Sequence, residues 1–465
     1  MTDRSGGEPY SPQRRTALVL TGTGTAGAYH AGVLRALHEA GVKIDIVAGR
    51  GVGVVGALFA AVDGSQRLWD DKGFWRGPDV LSLYRWRTIP HLVFWSLASA
   101  VGIVVLPLAA VAVGLVVYPI DFVMKMIGAG GTSGLVGAYL RFAESAFAPE
   151  ALPTWLPRLA VLVLGSAAIV VAVDAWMQSP PRGRGPIWWR AVRAPLSSRS
   201  IIDRCWRVMW DLVRGAAQLQ QPSPAELARR YVELLADNLG QPGFRELLIA
   251  VHDVDAHRDL LFALVGEGRR RDLVRRATSD AAEARRAEVF DLSGLARDHL
   301  PDAVAAALTV PLATEWHSVT FPPEAYWRGE THRLGDRPAG LIRVIDELID
   351  LDATQILLVS AAPETPGPHT LAAPRLDGRG RLGEYVVSSE AAVVRDATTT
   401  TGGVRIFTIR PAHNPIGPFD FEGGYDDRSR RRQGLGELMN RGYEDAYHQF
   451  IEPVVGASGD RVGTV

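Results

Sequence analysis

The chain has 465 residues, enough for one large domain or two ordinary ones. Lys+Arg 50 against Asp+Glu 51 leaves a formal charge of -1, which excludes the basic field that nucleic-acid binding needs. A single cysteine, Cys205, excludes an internal disulfide framework, and a mean hydropathy of +0.05 with 22% charged residues requires a concentrated apolar segment somewhere.

The first 15 residues are polar, carry Arg4, Arg14 and Arg15, and read as a disordered tail without a signal peptide. Residues 17–20 are a short apolar run of the kind that forms a buried parallel strand. A loop follows: Gly22, Thr23, Gly24, Thr25, Ala26 and Gly27. Residues 28–40 predict a helix with Val33, Leu34 and Leu37 on one face and Gly41 as its stop. His30 and His38 on that helix read as packing or solvent-facing residues. Residues 44–48 predict a second strand, and Gly49, Arg50, Gly51, Val52 and Gly53 turn it directly into a helix over 54–61. A strand-to-helix turn of the form G-x-S-x-G is a nucleophile elbow. Here the frame is intact and its centre is Gly51, which has no hydroxyl.

The run over residues 16–61 resembles the first half of a patatin-like phospholipase domain. The resemblance implies an α/β fold with a three-layer α/β/α core, an oxyanion loop at Gly22 to Gly27, and a Ser-Asp dyad that hydrolyses lipid acyl esters. A dinucleotide-binding reading of Gly22-x-Gly24-x-x-Gly27 competes, but it wants an acid at the end of the second strand. Asp45 sits at its beginning.

Residues 88–120 contain no Lys, Arg, Asp or Glu, and about 20 apolar residues suffice to span a membrane. Pro107 lies mid-run, which membrane helices tolerate. Residues 156–177 predict a second span, entered at Arg158 and left near Asp174. The two runs predict a transmembrane helical hairpin inserted over 88–180. Arg67, Lys72, Arg76, Arg85 and Arg87 precede it, and Arg182, Arg184, Arg190, Arg193 and Arg199 follow, against Lys125, Arg141 and Arg158 between. That bias puts both ends, and the globular domain, on the cytoplasmic face. Trp75, Trp86 and Trp95, with Trp176, Trp188 and Trp189, read equally as interfacial belts or as packing.

Residues 181–196 read as a linker and 197–218 as a helix. Ser223 and Glu226 form a capping box for the next helix. Residues 244–252 and 260–265 predict strands. His252, Asp253, Asp255 and His257 match no zinc spacing and read as a polar loop. Residues 267–286 are arginine-rich, suited to a solvated helix face or to anionic headgroups. Residues 300–321 are similar to the patatin segment before the catalytic aspartate, which places the family acid position at Arg328. A helix at 341–351, a strand at 355–360 and a helix at 435–451 continue the pattern. The division expected is a tail (1–15), first half-domain (16–87), hairpin (88–180), linker (181–196), second half-domain (197–455) and tail (456–465).

With Gly51 for the nucleophile and Arg328 for the acid, the resemblance implies a scaffold without its dyad. Losing a member of such a unit costs on the order of a million-fold in rate. The expectation is a membrane-anchored, inactive patatin-like protein with no metal and no cofactor. It binds membrane lipids or serves as a scaffold, with a protein partner or a second copy as further company. One alternative is an active lipid acyl hydrolase whose nucleophile has moved to Thr23 or Thr25, with Glu330 or Asp336 as the nearby acid. Another is a structural membrane protein whose old pocket has collapsed.

Overall fold

The computed structural model describes residues 10–127, 134–147, 155–177, 194–275 (except 216 and 218), 287–367, 371, 374–400 and 404–456. It divides into two units, Met1–Arg85 with Leu196–Val465, and Trp86–Pro195.

The first unit opens with β1 (Thr16–Gly22), α1 (Ala26–Glu39), β2 (Ile46–Gly51) and α2 (Gly53–Ala61). After the insertion it resumes with helices at Arg199–Arg214 and Pro224–Asn238, then β3 (Glu246–Asp253), β4 (Arg258–Leu264) and β5 (Val289–Asp291). A helix at Leu300–Ala307 leads to β6 (His317–Thr320) and β7 (Thr331–Gly335). Helix α3 (Gly340–Asp350), β8 (Gln355–Ser360), α4 (Gly378–Thr400), β9 (Arg405–Ile409) and α5 (Leu435–Ala446) complete it. The sheet runs β5-β4-β3-β2-β1-β8-β9, with β7 joining β3 to β6. β1 lies parallel between β2 and β8.

Successive strand residues point to opposite faces, and the packing follows. Leu18, Leu20 and Val47 join α1, α2 and α5 in one core. Ala17, Val19, Ile46 and Ala48 join Leu341, Val344 and Leu348 of α3 and Val394 and Ala397 of α4 in the other. The result is the three-layer α/β/α arrangement expected from the sequence.

Several local expectations change. Tyr10 is 1% exposed and meets Phe450 edge-on at 5.4 Å, and Gln355 Nε2 donates to the Ser11 carbonyl at 2.8 Å. Residues 10–15 therefore belong to the domain rather than to a tail, because an aromatic ring there fills a core site. The arginine-rich helix is described only over Glu267–Arg275; residues 276–286 lie outside the described residues, as do 178–193 of the expected linker. The C-terminal helix passes at Ala446 into a π-helical stretch, Tyr447–Val455. Ser223 caps its helix as read, accepting the Glu226 N–H at 3.3 Å. Trp75 is 4% exposed and packs in the core, so it is no interfacial anchor.

Among its described residues the second unit holds three helices rather than two: Thr88–Met126, Leu135–Phe147 and Trp155–Met177. The first has 39 residues, about 58 Å at 1.5 Å per residue. Its side chains face outward along most of its length, with Leu108 65% and Leu115 72% exposed. Among the described residues one stretch, Leu108–Met126, is long and apolar enough to cross a membrane; the expected second span, at Ala160–Val173, falls short. The middle helix lies against the first, where the Tyr139 hydroxyl donates to the Ala110 carbonyl at 2.9 Å.

Close packing of α1 on α5 depends on two missing side chains. A Cβ on Gly32 would stand 1.8 Å from the Met439 carbonyl oxygen, and one on Gly442 2.2 Å from that of Tyr29. Gly32→Ala is therefore expected to destabilise the domain by about 1–3 kcal/mol, read as a lowered urea midpoint; an unchanged midpoint would contradict this packing.

Candidate functional site

β2 passes into α2 with a single intervening residue, Val52. A reversal that sharp needs a left-handed backbone at its apex, and Gly51 supplies it at φ 58°. The nucleophile elbow is thus present in its backbone. A Cβ at Gly51 would lie 2.2 Å from the Gly22 carbonyl oxygen and 3.1 Å from Asp336 Oδ2.

The donors are committed elsewhere. In an elbow of this kind the N–H after the nucleophile forms part of the oxyanion hole. Here the Val52 N–H donates to the Gly22 carbonyl at 2.9 Å. The Thr25 N–H donates to the Pro418 carbonyl at 2.9 Å, and the Thr25 hydroxyl to the Gly417 carbonyl at 2.9 Å. A turn before α5 thereby sits on the glycine loop. That turn is held by Asp420, which accepts the Gly417 N–H at 2.9 Å and a two-pronged contact from Arg375 at 2.7 and 3.1 Å.

Behind the elbow lies a dry polar centre. Arg50 is 1% exposed; its Nε donates to the Thr21 hydroxyl at 2.9 Å and its Nη2 to Glu390 Oε1 at 2.8 Å. Its Nη1 stands 3.2 Å from Asp336 Oδ2, close enough for an ion pair but off the hydrogen-bond axis. Glu390 also accepts the Thr23 hydroxyl at 2.7 Å. Burial pushes Asp336 up to about 7; the Glu390 charge adds to this, while Arg50 and the Arg337 and Gly51 N–H groups pull it down. His30 is fully buried against the Thr21 carbonyl at 3.0 Å, and burial pulls it down to about 4.

The sequence-predicted residues therefore divide. Those of the loop and the elbow come together. Arg328 does not join them: it is exposed in the turn between β6 and β7, at φ 45°, on the rim of a cavity of about 910 Å³ walled by Phe290, Pro322 and Trp327. The acid that meets Gly51 is Asp336, just past β7, named from sequence only as a fallback. Glu330 instead contacts His332 at 3.4 Å. Of the polar residues His252, Asp253, Asp255 and His257, the first two lie within β3; His252 pairs with Asp259 of β4 at 2.7 Å, and Asp255 accepts the Arg333 N–H of β7 at 2.8 Å. Glu390 escaped the sequence reading. Its signal was an acid on the buried stripe Val386, Glu390, Val394 and Ala397 of α4, spaced by helical turns.

A parallel-rich sheet between two helical layers, with a strand-turn-helix elbow at its centre, is consistent with a patatin-like α/β/α fold. The family model for patatin-like phospholipases matches residues 18–107, the stretch that holds the glycine loop and the elbow. Patatin-like phospholipase domain-containing protein 6 of Mus musculus, Pongo abelii and Homo sapiens is 50% identical over 52 residues, which is 11% of this chain and 4% of each relative. The solved structure of VipD from Legionella pneumophila aligns over 96% of this chain and 67% of its own, at 12% identity and a TM-score of 0.33.

Two variants probe the site. Arg50→Leu leaves Asp336 and Glu390 buried without their cation, a loss expected to cost about 3–5 kcal/mol; urea unfolding within about 1 kcal/mol of wild type would mean the cluster is not held by that guanidinium. Gly51→Ser places a side chain against the Gly22 carbonyl and is expected to cost about 1–3 kcal/mol. A Tm at or above wild type would show that the loop yields freely.

Proposed function

We propose that this chain is a membrane-anchored patatin-like domain that no longer hydrolyses acyl esters and serves as a scaffold at a lipid surface. One observation carries the reading: at the elbow there is no hydroxyl, and the Val52 N–H that would hold an oxyanion is already bound to the Gly22 carbonyl. A substrate carbonyl would have to displace two internal carbonyl oxygens, those of Gly22 and Pro418, before meeting any donor. Asp336 remains, but its neighbour is a guanidinium rather than a nucleophile. Anchoring rests on Leu108–Met126 and on the outward-facing apolar side chains around it, a continuous exposed surface of a kind that soluble monomers avoid. The flanking arginines favour the cytoplasmic face for the globular domain. Its company there is membrane lipid, together with a protein partner or a second copy of the chain.

A second reading has one observation in its favour. Thr23 donates to the Glu390 carboxylate at 2.7 Å, which is the contact a relocated nucleophile and base would make. Against it, Thr23 is 4% exposed and Glu390 is committed to Arg50.

Hydrolysis of fluorogenic phospholipid and short acyl esters by the purified full-length chain separates the two. Background rates are expected for wild type, Thr23→Ala and Glu390→Gln alike, with no labelling by a fluorophosphonate probe. Turnover above background that disappears in both variants would establish the relocated site. Alkaline carbonate washing of membranes is expected to leave the full chain in the pellet; release into the supernatant would remove the anchor from the account.

A further inference from the structure

Two carboxylates share one guanidinium behind the elbow, and all three side chains are under 5% exposed. The sharing is unequal. Glu390 has a hydrogen bond from Arg50 and another from Thr23, whereas Asp336 stands only at ion-pair distance from Arg50, with the Arg337 and Gly51 N–H groups beside it and an unpartnered Oδ1 among the described residues. The groups facing Asp336 are few. Arg50 and the Gly51 N–H come from β2, the Arg337 N–H from the chain just after β7, and Glu390 from α4 lies across the guanidinium. The Thr309 hydroxyl accepts the Asp336 N–H at 3.1 Å, and Tyr84, buried and donating to the Leu308 carbonyl, adds no positive charge. Beyond Arg50 lies His30 of α1, uncharged near neutrality. One cation thus serves two buried acids, and the less well held of them abuts the apex of the elbow.

We propose that Asp336 is a proton-operated latch on the elbow: with two buried acids on one guanidinium, the globular domain is held more tightly when Asp336 carries a proton. Protonation leaves a neutral centre in which Arg50 and Glu390 balance. Deprotonation leaves a net negative charge in a site without water contact, the costly state for a buried carboxyl.

The direction with pH follows from linkage. An unfolded aspartate titrates near 3.9 and folded Asp336 at about 7. Between those values the folded chain holds a proton that the unfolded chain does not, so stability falls as pH rises and levels off above the folded value. His30 works oppositely, since its folded value of about 4 lies below the unfolded one. The two partly offset each other in a raw profile, and comparison with Asp336→Asn isolates the aspartate.

Cys205 offers the readout. It is the only cysteine in the chain and is fully buried in the globular unit, so maleimide labelling of the full-length chain in detergent micelles reports opening of that unit. Each rate is normalised to denatured protein at the same pH, which removes the thiol's own ionisation. The opening constant of wild type relative to Asp336→Asn is expected to rise about 30-fold from pH 5.5 to pH 8.5, as one proton at about 7 requires. A ratio constant across that range overturns the proposal. Where Asp336→Asn fails to fold, Glu390→Gln serves: with the competing acid neutral, Asp336 has Arg50 to itself, and the rise in the opening constant shrinks. A Glu390→Gln profile superimposable on wild type is equally contradictory.

Discussion

A strand that becomes a helix across one residue has little conformational choice, and much of this domain is arranged around that turn. Gly51 takes the left-handed backbone; Val52 then presents its N–H inward, and the Gly22 carbonyl accepts it. That bond ties the end of β1 to the end of β2 where both run out of sheet partners. It also sets the direction in which the glycine loop leaves β1, and so where α1 begins. The turn at Gly417 and Pro418 completes the closure from the far end of the chain. With glycine at its apex the elbow carries no hydroxyl there, and the apex lies open to the neighbouring carbonyl.

The electrostatics behind the turn follow from the same crowding. Arg50, the variable residue of the elbow frame, points into the domain and must be neutralised there, because an unpaired guanidinium in a dry interior is prohibitive. Two acids from remote segments meet it, one just after β7 and one on α4. The cluster binds five parts of the fold to one point: β1 through Thr21, the glycine loop through Thr23, β2 through Arg50, the chain just after β7 through Asp336 and α4 through Glu390. A working dyad needs its acid free to orient a nucleophile. Here Asp336, the acid nearest the elbow apex, faces the Arg50 guanidinium.

The legible parts of the fold were those written locally. Apolar runs bounded by glycines announced β1, β2 and the elbow, and Ser223 with Glu226 announced a cap. Which acid reaches the elbow depends on register. β7 pairs antiparallel with β3, His252 opposite Gly335, and that pairing brings Asp336 rather than Arg328 to the elbow. No local pattern encodes it. Helix α4 was hidden by glycines at its start and threonines at its end, although its buried stripe with one acid could have been found by spacing. The membrane segment was legible as composition, but two apolar runs implied two spans, whereas only Leu108–Met126 has the length and apolarity among the described residues.

The claim on which this account most depends is that the elbow is closed by its own backbone. Amide hydrogen exchange of the native full-length chain tests it at Val52 and Thr25. Both amides donate to buried carbonyls, so both should exchange as slowly as the central strand β1, only when the domain opens as a whole. Fast exchange at Val52 and Thr25 with β1 still protected would contradict the account, since it would mean the oxyanion donors are free to meet a substrate.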